Sequence, residues 1–154
     1  MDWTALLATL VGAVIGVGST LATDRVRWRR DARERDRETV RTVSAQFLEA
    51  LTGARDAISD ASGSADAPAG ERAERARSSI LTHNVHAKQY QLELLADPEV
   101  ARLAREAAHQ LLLYRDAVVD GHLREDAACT QARRDFREAR QKLMTAMRSS
   151  LTRP

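Results

Sequence analysis

No residue from Trp3 to Thr23 carries a charge, and this run constrains what the chain can become more than any other feature. Asp2 and Asp24 bound it, and Arg25, Arg27, Arg29 and Arg30 follow directly. A helix rises about 1.5 Å per residue, so a run of this length spans roughly 30 Å, the thickness of a bilayer's hydrocarbon core. Trp3 stands at one end and Trp28 just beyond the other, where indole rings favour the interface. Arginines on one side only place the N-terminus outside and the rest of the chain in the cytoplasm. The expectation is a single-pass transmembrane helix over residues 1–23, in the plasma membrane. Membrane lipids are its partners, with Arg25, Arg27, Arg29 and Arg30 against their headgroups.

Two rival readings fit less well. A cleaved signal peptide needs a basic n-region, and here Asp2 precedes the apolar run with no Lys or Arg. A buried core helix of this length would show a polar face. Within the run, Ala8, Gly12, Gly16 and Thr20 put a small residue at every fourth position. Such a line lets two helix backbones approach closely in lipid, where packing drives association. It predicts a homo-oligomer joined through this face.

The remaining residues suffice for one domain. Charged residues make up 30% and aromatics 4%, with Gly and Pro scarce beyond residue 70, a composition that favours helices. The 24 basic residues include only two lysines, Lys88 and Lys142, as a GC-rich genome would produce, so arginine abundance alone says little about function. The single cysteine, Cys129, excludes an internal disulfide.

Residues 24–38 predict a charged helical stalk: over 29–38 acids and bases interleave with almost no apolar side chain, and i, i+4 pairs such as Arg30 with Glu34 support the helix. Four amphipathic stretches follow. Over 39–61 an apolar stripe runs Val40, Val43, Phe47, Ala50 and Leu51, Ala54, Ala57 and Ile58, Ala61 at intervals of three and four. Residues 62–70 are a polar, flexible loop. Over 71–95 the line is Ala73, Ala76, Ile80, His83, Ala87, Tyr90, Leu94, widened by Leu81, Val85, Leu92 and Leu95.

Asp97-Pro98-Glu99 restarts the chain. Asp97 serves as cap, Pro98 as first helical residue, and Glu99 sits at the positive end of the dipole. Over 98–120 the stripe is Val100, Leu103, Ala104, Ala107, Leu111, Tyr114, Val118, stopping near Gly121. Over 123–152 it is Cys129, Ala132, Phe136, Ala139, Leu143, Ala146. The expected fold is all-α: a transmembrane helix continuing into a stalk and an antiparallel four-helix bundle over 39–154.

Charge is distributed unevenly. Residues 42–130 carry nine bases against fourteen acids, and residues 131–154 carry seven against two. An antiparallel bundle returns the basic C-terminal helix toward the membrane, beside Arg25 to Arg30. Arg133, Arg134, Arg137 and Arg140 form a basic ridge on that helix, suited to phosphates of lipid or of nucleic acid. Asp135 and Glu138 interrupt it and no aromatic platform interleaves, so nucleic acid is the less favoured partner.

No catalytic constellation survives inspection. Glu106 and His109 have the spacing of a di-metal bundle, but both lie off the core line and no second Glu-x-x-His exists. His83 and His86 lack a complementary ligand on their helix. Cys129 reads as a small buried hydrophobe. No cofactor and no metal site are expected, and the function expected is non-enzymatic. It is that of a membrane-anchored interaction or scaffold protein at the cytoplasmic face, self-associating or docking an unidentified protein partner.

An uncharged N-terminal span, an Arg-rich helix and the turn Leu94-Leu95-Ala96-Asp97-Pro98-Glu99-Val100 together resemble a loose group of small actinobacterial membrane-anchored helical proteins. Some of these are labelled Kil-like, after proteins of conjugative plasmids. The resemblance covers the whole layout and implies no active site. Its implied alternative is a membrane-tethered, nucleic-acid-binding accessory of conjugative DNA transfer.

Overall fold

A computed structural model of the chain describes residues 34–152. The expected transmembrane helix over 1–23 lies outside the described residues, with Ala8, Gly12, Gly16 and Thr20. So do Arg25, Arg27, Arg29, Arg30 and the stalk up to residue 33. Contacts divide the chain into a unit over Met1–Thr39 and a second over Val40–Pro154. In the first, residues 34–39 are helical and exposed. The second is an all-helical bundle, and no strand occurs among the described residues. No helix among them is long and apolar enough to cross a membrane.

Helix α1 occupies residues 34–63. It meets no proline, and its apolar period of three and four buries Phe47, Ala50, Leu51, Ala54, Ile58 and Ala61 on one side. Hydroxyls close its end: Ser62 Oγ donates to the Ser59 carbonyl and Ser64 Oγ to that of Asp60, each at 2.8 Å. A short loop leads into α2 (Ala69–Thr82), which buries Ala73, Ala76 and Ile80.

The expected single helix over 71–95 is in fact two. After α2 the chain turns at His83 and Asn84, and α3 (Val85–Leu95) begins. Asn84 has φ 52 and ψ 38, the left-handed conformation that asparagine tolerates better than most residues. One such residue resets the phase of everything after it. The buried series runs from Ile80 to Val85, a step of five, and continues with Gln89 and Leu92. The line expected to face the core therefore turns outward. Tyr90 is 62% exposed and Leu94 84%; Leu81, which precedes the turn, is exposed independently of it.

Helix α4 (Pro98–Val119) is the centre of the bundle, packing on α2, α3 and α5. It starts at Pro98 as expected for a residue whose missing N–H is an orphan in any first turn. Asp97 makes no side-chain cap bond, contrary to its expected role. The first turn is instead braced by Glu99, which accepts from Arg102 Nη2 at 2.7 Å and Nε at 3.0 Å. That guanidinium lowers the Glu99 carboxyl pKa. The stop at Gly121 is a Schellman motif. Gly121, at φ +99, donates to the Val118 carbonyl, and His122 donates to that of Ala117, both at 3.1 Å.

Helix α5 (Ala127–Thr152) starts four residues later than position 123, where the sequence suggested. The Asp126 carboxylate accepts the Leu123 backbone N–H at 2.7 Å and holds those residues in a turn. From there Cys129, Phe136, Ala139, Leu143 and Met147 are buried at helical spacing.

Two inward arginines tie the loops at one end of the bundle. Arg72, 7% exposed, donates to the carbonyls of Ala67 at 2.9 Å and Gly121 at 3.1 Å. Arg124 Nη2 donates to the Ser59 carbonyl at 2.6 Å. The C-terminal ends of α1 and α4 and the N-terminal ends of α2 and α5 are thereby gathered together. Beneath them Tyr114, fully buried, shares a 3.3 Å hydrogen bond with Ser62 Oγ.

Candidate functional site: an arginine-lined cleft

The stripe of α5 that faces the core runs through Phe136 and Ala139. Residues beside such a stripe fall at the boundary between helices, and Arg133, Arg137 and Arg140 occupy that flank. On α1, Arg55 stands next to buried Ala54 in the same relation. Where the two flanks meet, Arg55, Arg133, Arg137, Arg140 and Phe136 line a cleft of about 220 Å³. Phe136, 3% exposed, supplies its apolar wall. Arg134, the fourth member of the expected ridge, is exposed and does not line the cleft.

No carboxylate lines this cleft. Arg55 Nη1 contacts Asp56 at 2.9 Å, a pair on the exposed side of α1. Asp135, which interrupts the ridge in sequence, accepts from Gln131 Nε2 at 2.8 Å. Among the described residues, no hydrogen bond or ion pair engages the side chain of Arg133, Arg137 or Arg140. The Nε of Arg140 is buried and without an acceptor. Arg72 and Arg124 also have an unpartnered buried Nε, but their terminal nitrogens hold backbone carbonyls. Like charges converging on a partly desolvated wall repel one another more strongly than in water. An anion accepting from several of them reverses that cost.

The other residues singled out in the sequence do not converge. Glu106 and His109 are exposed on α4, where Glu106 accepts from Gln110. His86 is exposed. The His83 ring lies against Gly53 of α1. Cys129 is 1% exposed, and burial pushes its thiol pKa up, with Asp126 acting in the same direction and Arg133 against it. Such a thiol is a poor nucleophile. No three His, Cys, Asp or Glu side chains are grouped to hold a metal ion among the described residues.

Two features escape sequence reasoning. Arg55 lies in the acidic middle of the chain, and only the side-by-side packing of α1 and α5 reveals its proximity to the ridge. Tyr90 and Leu94 follow a helical core period until Asn84 turns them outward. An exposed apolar face on α3 results. The chain matches no protein-family model, no curated protein and no solved structure.

Proposed function

We propose that the chain is a membrane-anchored, non-enzymatic helical interaction protein that acts at the cytoplasmic face of the plasma membrane and self-associates. In this reading residues 1–23 form the transmembrane helix. Residues 24–38 are a charged stalk, and 39–154 an antiparallel four-helix bundle in which α2 and α3 together make one bent arm. The alternation of chain ends at the Arg72 and Arg124 ties supports that arrangement.

The observation that carries the proposal is the uncharged run Trp3–Thr23 with four arginines on one flank only. The bundle adds what an interaction module needs, an exposed apolar face on α3 and a cationic cleft. Gly12 and Gly16 supply the self-association face.

The test is membrane fractionation of the full chain carrying a C-terminal tag. Retention in the pellet through alkaline carbonate, with the tag shielded from protease added to intact cells, is the expected result. Release by carbonate refutes the anchor, and cleavage of the tag outside refutes the orientation. Crosslinked dimer falls in Gly12→Ile and Gly16→Ile; variants that crosslink like the parent chain reduce the span to an anchor.

A second reading is favoured by the same arginines: a membrane-tethered nucleic-acid-binding accessory of conjugative DNA transfer. Filter binding of the full chain to DNA across a salt series separates the two, because phosphate contacts weaken steeply as salt rises. No retention at low salt removes the second reading.

A further inference from the structure

We propose that the cleft between α1 and α5 is a binding site for a phosphomonoester head group, held by Arg55, Arg133, Arg137 and Arg140. The proposal goes beyond the anchor and scaffold reading and does not depend on it, since every residue it uses lies in the bundle. A guanidinium offers five N–H donors in a rigid fork that matches carboxylate or phosphate oxygens in pairs. Four such groups line one cleft that no carboxylate lines, and three of them have no partner among the described residues. A buried donor without an acceptor is costly, and the Arg140 Nε is one.

Charge selects the ligand class. A phosphomonoester carries about −1.5 to −2 at neutral pH and three acceptor oxygens, whereas a carboxylate or a phosphodiester carries a single charge. Four converging cations call for the higher charge and the greater number of acceptors. The Phe136 wall keeps water from one side of the cleft and so strengthens each charged contact.

Size and shape then decide between a head group and a nucleic-acid strand. Sites for whole small molecules run about 300–1,000 Å³, and this cleft holds about 220 Å³. It accommodates the phosphorylated end of a ligand whose remainder projects outward. A nucleic-acid backbone is tracked by an extended groove and by stacking platforms. Here the ridge is interrupted by Asp135 and Glu138, and Arg134 lies outside the cleft.

The shared chemistry has two sources, a soluble metabolite or a lipid, and one experiment covers both. The full chain in non-ionic detergent is titrated with glycerol 3-phosphate at constant ionic strength while its thermal midpoint is followed. In parallel, the chain is sedimented with phosphatidylcholine vesicles containing phosphatidic acid, a phosphomonoester lipid, or phosphatidylglycerol, a phosphodiester lipid.

The expected result is a saturable response to at least one phosphomonoester. Arg137→Ala should weaken it on the order of tenfold, as expected for loss of charge-assisted hydrogen bonds, and Arg134→Ala should leave it unchanged. Arg137 and Arg134 are both exposed, so both variants keep the fold, and each removes the same charge. A response to glycerol 3-phosphate identifies a soluble ligand, and a response confined to phosphatidic acid vesicles identifies a lipid; either supports the site. The proposal is overturned by no response to either phosphomonoester, or by equal losses in the two variants.

Discussion

Gly53 lies in the middle of α1, where glycine destabilises a helix by about 0.8–1.0 kcal/mol relative to alanine. Gly53→Ala would ordinarily stabilise the protein. The structure reverses that expectation, because a Cβ at this position would fall 2.5 Å from both Cε1 and Nδ1 of His83 and 3.2 Å from its Cγ. The ring cannot retreat with its backbone. His83 ends α2, its N–H bonds the Ser79 carbonyl at 3.1 Å, and left-handed Asn84 follows. Only side-chain rotation remains, and it removes the ring from its packing against α1. Overpacking of this kind costs about 1–3 kcal/mol, so the net effect of Gly53→Ala is a loss of roughly 1 kcal/mol. For a chain of this size that is about 2–4 °C in Tm.

The decisive measurement is a double-mutant cycle with His83→Ala, using thermal melts of the four full-length proteins followed by far-ultraviolet circular dichroism in one detergent. In the His83→Ala background Gly53→Ala should become stabilising, by about the 0.8–1.0 kcal/mol of helix propensity. The sign change is the signature of direct contact. If Gly53→Ala has the same sign and size in both backgrounds, the ring does not pack on that glycine, and the account of the α1–α2 junction fails.

Three further outcomes follow from particular residues. Asn84→Ala should destabilise by up to about 1 kcal/mol because alanine lacks the short polar side chain that lets asparagine tolerate positive φ, while Asn84→Gly, which has no Cβ to strain there, should melt at or above the parent; equal melts for both would show that the turn is not left-handed. Tyr114→Phe should cost about 0.5–1.5 kcal/mol through the bond to Ser62, at the low end of that range because Ser62 Oγ still donates to the Ser59 carbonyl. Cys129 should alkylate far more slowly in the folded chain than in denaturant at pH 8. Its raised pKa makes the associated stability fully present below the thiol's unfolded value and lost as pH rises past it, because the unfolded thiol ionises first. Equal alkylation rates in the two states would contradict its burial.

Three helices were legible because their apolar periods have one solution. Along α1, α4 and α5 the intervals of three and four place Phe47, Leu51 and Ile58, then Leu111, Tyr114 and Val118, then Phe136, Ala139 and Leu143 on single faces. No competing apolar line on those helices is as long. The turn at Gly121 was equally legible, since glycine supplies the positive φ that a Schellman motif requires. The ridge on α5 could be read from spacing, but its partner Arg55 could not. Sequence reveals which residues flank an apolar stripe, not which neighbouring helix will face that flank.

The stretch over 71–95 differs because its pattern is degenerate. One phase after Ile80 would bury Ala87, Tyr90 and Leu94; the other buries Val85, Gln89 and Leu92, and both are continuous helical lines. Burying a leucine fully is worth about 1.5–3 kcal/mol, so apolar content separates the two phases little. Packing and polar pairing decide between them. Gln89 Nε2 donates to Glu93 at 2.8 Å, and Glu93 accepts from Arg105 of α4 at 2.9 Å. The inward phase thus gives its polar residues a chain of partners. The His83 ring against Gly53 fixes where α2 ends, and Asn84 rotates α3 so that this chain faces α4. Leu94 is left 84% exposed as the consequence. The apolar face of α3 is therefore the by-product of a phase chosen at one asparagine, and residues 83–84 are where a single substitution redistributes what the bundle shows to its surroundings.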